Sequence, residues 1–308
     1  MTKLIIQIPC YNKEESLRIT LTALPRQLPG VDIIEWLIIN DGSQDRTVEV
    51  AKEYGVDHIV SLAKEFMAGL EASLKAGADI IVNTDADNQY CADDIPYLIQ
   101  PIILHQPEIV VEERPIWKTK HFSYSKKLLQ KLGSWAVRIA SNTNVPDAPS
   151  GFRAFSLEAA IQLNVFNAYT YTLETIIQGG QKGIKITSIP IRTNSVLRPS
   201  RLVRSTPSYV LRSLFTILRI FLLYKPLRFF LMLGSVPFSF GLISGIRWLF
   251  FFFSGYEKTM VPTLIGATIL VLVGFQLWIL GLIADLMAAN RRIMDEIQVR
   301  MRRQDCKN

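Results

Sequence analysis

The chain has 308 residues, of which 49% are hydrophobic, and its formal net charge is +7. Its first two thirds have the composition of a globular α/β domain with a sizeable core, whereas its last third contains long apolar runs. No acidic residue occurs between Glu174 and Glu257, a stretch in which basic residues lead into the first apolar run. This placement of charge favours an anionic membrane surface as partner and argues against nucleic acid.

Two further features point to the cytoplasmic side of a membrane. The three cysteines, Cys10, Cys91 and Cys306, are far apart and lack metal-ligand spacing, as expected in a reducing compartment. No signal peptide is expected, because Met1 leads almost directly into a predicted strand.

Predicted strands and helices alternate through the first 205 residues. Apolar runs predict strands at 4–8, 33–39, 58–62, 80–83, 109–111 and 184–191, the first ended by Pro9. Amphipathic patterns predict helices at about 16–24, 45–54, 65–76, 95–104 and 124–141, and helices beginning at 156 and 171; Asp93 or Asp94 is a candidate cap. Such alternation predicts an α/β fold with a mostly parallel, doubly wound sheet.

Polar loops follow three of these strands, after Ile8, Ile39 and Asn83. Because the carboxyl ends of parallel strands share one edge, these loops are expected to form one pocket there. The third loop carries Asp85 and Asp87, which alternation places on the same side of the chain. Two carboxylates there suit Mg²⁺ or Mn²⁺ together with a substrate diphosphate, although a bare pair of this kind is also compatible with a solvated turn.

The last third predicts membrane association. Residues 208–224 have helical apolar spacing interrupted by arginines, which indicates an interfacial amphipathic helix; a soluble core helix is the alternative. Segments 229–253 and 260–284 are each long enough to span a bilayer. Basic residues flank both sides of this hairpin, so both termini are predicted to be cytoplasmic. The predicted regions are 1–204 catalytic, 205–228 interfacial, 229–290 transmembrane and 291–308 a basic tail.

Four motifs, in this order and spacing, resemble the family 2 glycosyltransferases of GT-A fold. They are Ile8-Pro9-Cys10-Tyr11-Asn12-Lys13-Glu14-Glu15, Asn40-Asp41-Gly42-Ser43, Asp85-Ala86-Asp87-Asn88-Gln89 and Ser150-Gly151-Phe152-Arg153. With the two-span layout, the resemblance is to the branch that includes dolichyl-phosphate mannose synthase and bacterial polyprenyl-phosphate glycosyltransferases. It implies inverting transfer of a sugar from a nucleoside diphosphate to a polyprenyl phosphate at the cytoplasmic face of the plasma membrane, for cell-envelope glycans. A homo-oligomer is also implied by the resemblance alone.

On the donor side, the resemblance implies a set of binding residues at matching positions. The donor-binding residues are expected to be Pro9, Tyr11, Asn12, Glu14, Asp41, Lys64, Asp85, Ala86, Gln89, Arg198 and Arg201. Asp85 and Asp87 match the motif for Mg²⁺ or Mn²⁺, with Asp87 the expected direct ligand. Arg198 and Arg201 match a mobile basic loop that closes over the diphosphate.

On the acceptor side, the resemblance implies that Arg114, Lys127 and Arg153 meet the phosphate and that Asp147 flanks the reacting site. Asp87, Asp147 and Arg114 are the expected catalytic residues. A phosphate monoester is largely dianionic at neutral pH and needs no proton removed, which fits cationic side chains without a catalytic histidine. For each basic residue the alternative is a solvated surface charge.

Two departures from the family pattern concern the donor side. Asn40 precedes Asp41 where an acid is common, and the stretch from Lys64 to Glu65 lacks a loop that relatives usually carry. Because of the second departure, an alternative function remains: a transferase-like membrane protein that binds nucleotide or lipid without turnover. A processive polysaccharide synthase is disfavoured, since the one Arg-Trp pair, Arg247-Trp248, lies inside a predicted span and lacks the preceding Gln.

Overall fold

The structure is a computed structural model. It describes residues 1–61, 65–104, 106–114, 124–165, 171–194, 215, 218–219, 221–255 and 261–305. The chain divides into one unit made of Met1–Thr216 with Ile297–Asn308, and a second made of Ile217–Glu296. Most of the predicted interfacial helix lies outside the described residues.

The first unit is built on a mixed sheet whose described part has seven strands. They are β1 (Lys3–Cys10), β2 (Ile33–Asn40), β3 (His58–Ser61), β4 (Ile80–Asn83), β5 (Ile109–Glu113), β6 (Arg153–Ser156) and β7 (Ile186–Pro190). The strand order is β3-β2-β1-β4-β6-β5-β7. Only β6 runs antiparallel to its neighbours in this sheet of described strands, so the predicted mostly parallel sheet is confirmed.

Helices cover both faces of this sheet. They are α1 (Glu14–Ala23), α2 (Thr47–Glu53), α3 (Glu65–Lys75), α4 (Ile95–Ile103), α5 (Tyr124–Ser141), α6 (Leu157–Gln162) and α7 (Tyr171–Gln181). Ile6 and Ile8 of β1 share a buried cluster with Leu17 of α1 and Leu98 of α4. On the opposite face α3 lies so close that a Cβ on Gly69 would be 2.7 Å from Gln7 Oε1. Successive side chains of β1 therefore point to opposite faces of the sheet, and each face is covered by helices, as in a doubly wound fold.

Two sequence predictions about strands are wrong. Pro9 does not end β1, which continues to Cys10. The backbone of Gln7 hydrogen-bonds toward β4, and the backbone of Pro9, two residues later, faces the same side. At Pro9, however, β1 no longer pairs with β4, because that pairing ends at Asn83. The missing N–H of Pro9 therefore costs no ladder hydrogen bond. The second error is β6 (Arg153–Ser156), because no strand was predicted between the helix at 124–141 and the helix beginning at 156.

A prediction about a helix cap is also wrong. Asp94 ends a short 3₁₀ helix, Ala92–Asp94, before α4, and its side chain caps no helix. Its carboxylate instead accepts from the Arg192 backbone N–H at 2.8 Å and from Arg192 Nη2 at 2.6 Å. Asp94 therefore holds the segment that follows β7.

The second unit contains two long apolar helices, α8 (Pro226–Phe253) and α9, which begins in this unit and runs over Val261–Asp305. Both are long and apolar enough to cross a membrane, by length and composition. Glycines let them approach closely, because a Cβ on Gly234 would lie 2.7 Å from the Gly274 carbonyl. Trp278 Nε1 also donates to the Leu231 carbonyl at 3.2 Å.

The end of α9 belongs to the first unit, and the predicted basic tail is helical to Asp305. Arg302 donates to the Leu163 carbonyl at 2.5 Å and to Glu71 at 3.0 Å, and its side chain is only 15% exposed. Asn164 donates to Gln298, and Arg303 pairs with Glu158. The tail is therefore held against α3 and the end of α6.

We predict that Arg302→Ala lowers the free energy of unfolding of the first unit by about 1.5–3 kcal/mol, because hydrogen bonds involving a charged group have this magnitude. Chemical denaturation of the detergent-solubilised chain, followed through the unfolding of the α/β unit, measures the effect. Arg300→Ala is the matched control, since Arg300 is exposed on the same helix. Equal loss in the two variants would contradict the docking role of Arg302.

Candidate functional site

The first two loops of the predicted pocket are held together at one edge of the sheet. Cys10 pairs with Asn40 at the ends of β1 and β2, and the Asp41 N–H donates to the Cys10 carbonyl at 3.0 Å. Tyr11 follows directly and is 52% exposed. The register therefore places Pro9, Tyr11 and Asp41 side by side, as the parallel sheet predicted.

Hydrogen bonds between these loops fix the start of α1. The Asn12 N–H donates to Ser43 Oγ at 3.1 Å, and the Gln44 N–H donates back to Asn12 Oδ1 at 2.8 Å. The Glu14 N–H donates to Asp45 Oδ2 at 3.1 Å. Asn12 adopts a φ of 50°, a left-handed conformation that asparagine tolerates better than most residues. The loop around Asn12 and Glu14 is thus held by contacts with the loop after β2.

Asp85 and Asp87 follow β4, with the buried Ala86 between them. Burial, then the negative charge of Asp87, raises the pKa of Asp85 to about 6, against the opposing positive charges of Lys13 and Arg114. The Gln89 N–H donates to Asp87 Oδ1 at 3.2 Å and closes the turn. Two carboxylates are therefore held close enough to repel each other at the predicted edge of the sheet.

These residues fit a divalent cation. Two carboxylates provide an oxygen donor set of the kind that Mg²⁺ and Mn²⁺ prefer, and a cation would relieve the repulsion that raises the pKa of Asp85. Within the described part of the chain no group of three or more His, Cys, Asp or Glu side chains forms a metal site. The remaining ligands would therefore have to come from outside these side-chain types, such as diphosphate oxygens or water.

The acceptor half contains a close ion pair. Arg114 Nε lies 2.7 Å from Asp147 Oδ2, and Arg114 Nη2 lies 3.1 Å from Asp147 Oδ1. Their side chains are 19% and 1% exposed. Burial lowers the pKa of Arg114, but the Asp147 carboxylate outweighs burial and raises it. Since Arg114 also acts electrostatically on Asp85, this ion pair lies near the acidic pair.

Behind this pair, a buried network holds the loop between α5 and β6. Ser150 Oγ donates to Glu112 Oε2 at 2.5 Å, and burial raises the pKa of Glu112 to about 7. Arg153 donates to the carbonyls of Ser150 at 2.8 Å, Ala148 at 2.6 Å and Thr172 at 2.6 Å.

Arg153 needs a revised role. Its side chain is fully buried, and burial lowers its pKa to about 10. The guanidinium is directed at loop carbonyls, so it offers no exposed donor to an acceptor phosphate in this conformation. We therefore assign Arg153 to holding the loop and drop its predicted contact with the phosphate.

Four other predicted residues cannot be placed. Lys64, Arg198 and Arg201 lie outside the described residues, as does the side chain of Lys127. The segment that leads toward Arg198 can be followed to Asn194, whose N–H donates to the Gln89 carbonyl at 2.8 Å. That segment therefore leaves the sheet directly beside the turn of the acidic pair.

Sequence reasoning missed several polar residues at the site. Lys13 acts electrostatically on Asp85, and its place inside the first motif was the available signal. Asn83, Tyr90 and Tyr171 surround Gly151 through contacts that span up to 88 positions in sequence. Contacts between residues so far apart in sequence leave no local sequence pattern from which they could be predicted.

Comparisons with known proteins agree with this geometry. Residues 5–163 match the family described as glycosyl transferase family 2. The chain belongs to this family. It is similar to the undecaprenyl-phosphate mannosyltransferase of Micrococcus luteus, with 27% identity over 200 residues that cover 60% of this chain and 80% of the relative. It is also similar to the UDP-N-acetylglucosamine–dolichyl-phosphate N-acetylglucosaminyltransferase of Methanococcus voltae, with 30% identity over 215 residues that cover 60% and 83%.

Solved structures show the same fold. Glucosyl-3-phosphoglycerate synthase from Mycobacterium tuberculosis, in complex with phosphoglyceric acid, matches with a TM-score of 0.56 and 19% identity over 70% of this chain and 80% of that one. A complex of the same enzyme with Mn²⁺, UDP and its product matches with a TM-score of 0.53. These matches confirm the GT-A fold that the sequence predicted for this chain.

The Asp94–Arg192 pair predicts a stability change with pH. Burial raises the pKa of Asp94, but the hydrogen bonds and charge of Arg192 outweigh burial and lower it. A carboxylate with a depressed pKa stabilises the fold above its unfolded pKa of about 3.9, and this contribution is lost as pH falls through the lower folded pKa. Asp94→Asn should therefore destabilise the protein more at pH 7 than at pH 3, as measured by thermal unfolding. Asp93→Asn, at an exposed position, should show no such difference.

Proposed function

We propose that this protein is a membrane-bound inverting glycosyltransferase that moves a sugar from a nucleoside diphosphate to a polyprenyl phosphate. The observation that carries the proposal is the convergence of the acidic pair with the Arg114–Asp147 pair at one edge of the sheet. One pair suits a donor diphosphate with its cation, and the other presents an arginine to an anionic acceptor. The relatives named for undecaprenyl and dolichyl phosphates support the acceptor class.

On the donor side, the loops after β1 and β2 hold the nucleotide through Tyr11, Asn12, Glu14 and Asp41. Asp85 and Asp87 would hold Mg²⁺ or Mn²⁺, which would neutralise charge on the leaving diphosphate. Lys13 adds positive charge on the same side and limits repulsion between the acidic pair and the donor. Gln89, held by the Asn194 N–H, lies next to this turn and meets the donor sugar.

On the acceptor side, Arg114 orients the phosphate, whose oxygen attacks the anomeric carbon from the face opposite the leaving group. Asp147 acts through Arg114. Both of its oxygens accept from the guanidinium and its side chain is 1% exposed, so it is poorly placed to take a proton. A dianionic phosphate needs no general base, and an orienting Asp147 is sufficient.

The two candidate membrane helices and the docked tail support a location at the cytoplasmic face. The tail from Ile297 onward lies in the same unit as the sheet, which requires both to be on one side if α8 and α9 both cross the membrane. The basic flanks of the hairpin support the cytoplasm as that side. Assembly into a homo-oligomer stays a prediction.

A second candidate is a transferase-like protein that binds nucleotide or lipid without turnover. The observation that favours it is the connection between β3 and α3, since β3 ends at Ser61 and α3 begins at Glu65. Three residues leave little backbone to donate hydrogen bonds to a diphosphate. A turnover assay separates the two functions.

Asp87→Asn should abolish transfer while leaving the melting temperature within a few degrees of the unaltered chain. The reason is that Asp87 lies in a partly exposed turn and its charge serves the cation rather than the core. Membranes containing the protein are incubated with a panel of radiolabelled nucleotide sugars, and label entering organic solvent is counted. Asp93→Asn is the control and should retain full activity. Transfer that persists in Asp87→Asn, or in excess EDTA, would refute the metal-dependent mechanism.

Asp147→Asn should reduce transfer without removing the acid limb of the pH–rate profile. If the acceptor is a phosphate, that limb follows its ionisation near pH 6. A general base would contribute about 10²–10⁴-fold and impose its own titration on the rate. Rates measured from pH 5 to pH 8 at saturating donor distinguish the two roles. A variant that keeps measurable transfer but has lost the acid limb would restore the base role to Asp147.

A further inference from the structure

Three side-chain oxygens converge on the backbone of Gly151. A Cβ built on this glycine would lie 3.0 Å from Tyr171 Oη, 3.4 Å from Tyr90 Oη and 3.5 Å from Asp85 Oδ2. A Cβ contact of 3.0 Å is tighter than most, so a side chain at this position would require the Tyr171 hydroxyl to move by a few tenths of an ångström. One member of the acidic pair thus shares a small polar space with two tyrosine hydroxyls.

The hydrogen bonds around Tyr90 have one consistent direction. The Gly151 N–H donates to Tyr90 Oη at 3.2 Å, so the hydroxyl acts as acceptor in that bond. Its own proton remains available, and Asp85 Oδ2, which lies beside the same position of Gly151, can accept it. An ionised carboxylate can only accept, so Tyr90 must be the donor to Asp85.

The ring of Tyr90 has little freedom to leave this position. It is 7% exposed and stacks on Phe152, with the ring centroids 4.9 Å apart and an angle of 14° between the planes. Its backbone is held as well, because Tyr90 pairs with Thr193 and its carbonyl accepts from Asn194 Nδ2 at 3.2 Å. A hydroxyl on a ring fixed in this way can fix the carboxylate to which it donates.

We propose that Tyr90 is a positioning residue that holds the Asp85 carboxylate in the orientation needed to bind the divalent cation. The proposal rests on the proposed function in one respect, since it takes Asp85 as a metal ligand. Partners that orient a metal ligand from behind typically contribute 10–100-fold to metal affinity. Tyr90 would be such a partner, and Gly151 would be the residue that fixes Tyr90 in turn.

This arrangement also joins the two halves of the site. Asn83 Nδ2 donates to the Gly151 carbonyl at 2.8 Å, and Gln7 Nε2 donates to Asn83 Oδ1 at 2.9 Å. The Gly151 loop is therefore tied to β4 and β1 on one side, while four residues earlier it carries Asp147, which holds Arg114 at the end of β5. Tyr90 links the cation ligand to the same loop that presents the acceptor arginine.

The test is Tyr90→Phe, which keeps the ring and its stacking on Phe152 and removes only the hydroxyl. The full-length protein in detergent is titrated with Mn²⁺ in the presence of UDP or GDP, and free Mn²⁺ is followed by electron paramagnetic resonance. We expect Mn²⁺ binding to weaken about 10-fold. Tyr97→Phe is the matched control, because Tyr97 is 59% exposed on α4 and should bind Mn²⁺ like the unaltered chain.

Two further variants make the test specific. Tyr171→Phe removes the neighbouring hydroxyl, which accepts from Asn83 at 3.4 Å, and should leave Mn²⁺ affinity within twofold. Gly151→Ala places a Cβ 3.0 Å from Tyr171 Oη but in ordinary contact with Tyr90 Oη, so it should weaken Mn²⁺ binding less than Tyr90→Phe does. In transfer assays, Tyr90→Phe should lose rate at low Mn²⁺ and recover most of it at saturating Mn²⁺, which a general loss of structure would not permit.

The outcomes separate this inference from the function on which it rests. Affinity in Tyr90→Phe within twofold of the unaltered chain, or an equal loss in Tyr171→Phe, would overturn the role of Tyr90 alone. An unaltered chain that binds no Mn²⁺ with either diphosphate would overturn the metal site and the role of Tyr90 with it. If Tyr90→Phe weakens Mn²⁺ binding but the unaltered chain transfers no sugar, the positioning role of Tyr90 would be supported and the proposed transferase activity rejected.

Discussion

Repulsion between two carboxylates at the end of β4 is the constraint on which the site depends. Asp85 and Asp87 are held in one turn, and the pKa of Asp85 rises to about 6 because burial and its neighbour both oppose its charge. Positive charge has to compensate, and the fold supplies it from two directions. Lys13 comes from the loop after β1 and Arg114 from the end of β5, so the edge of the sheet collects cations around the acidic turn.

The antiparallel strand β6 is what brings the acceptor half to this turn. It lies between β4 and β5, so the loop that precedes it passes the carboxyl ends of both strands. Arg153 begins this strand although it is charged and fully buried. Its donors satisfy carbonyls of the loop that leads into β6 and of Thr172, and these hydrogen bonds offset the cost of burying a guanidinium while they hold Ala148–Ser150 in place.

Sequence alone could predict the parts of the site that follow from period and topology. Parallel strands with polar loops place Asn12, Asp41 and Asp85 at one edge whatever the tertiary details, and the helix at 124–141 is found with those bounds. The sequence could not predict the contacts between side chains that are far apart along the chain. Arg114 meets Asp147 33 positions away, and Asp94 meets Arg192 98 positions away. The strand β6 was missed because four residues that begin with arginine resemble a loop.

The ion pair with Asp147 determines which anion Arg114 can bind. A free guanidinium this close to the acidic pair would be drawn toward Asp85 and would compete with the cation for it. Asp147 holds Nε and Nη2 of Arg114 by a bidentate contact, which fixes the plane of the guanidinium. The acidic turn is then left to a cation, while Nη1 of Arg114 retains its capacity to donate to an acceptor phosphate. In the proposed mechanism, Asp147 thus separates the donor charge from the acceptor charge and need not take part in proton transfer.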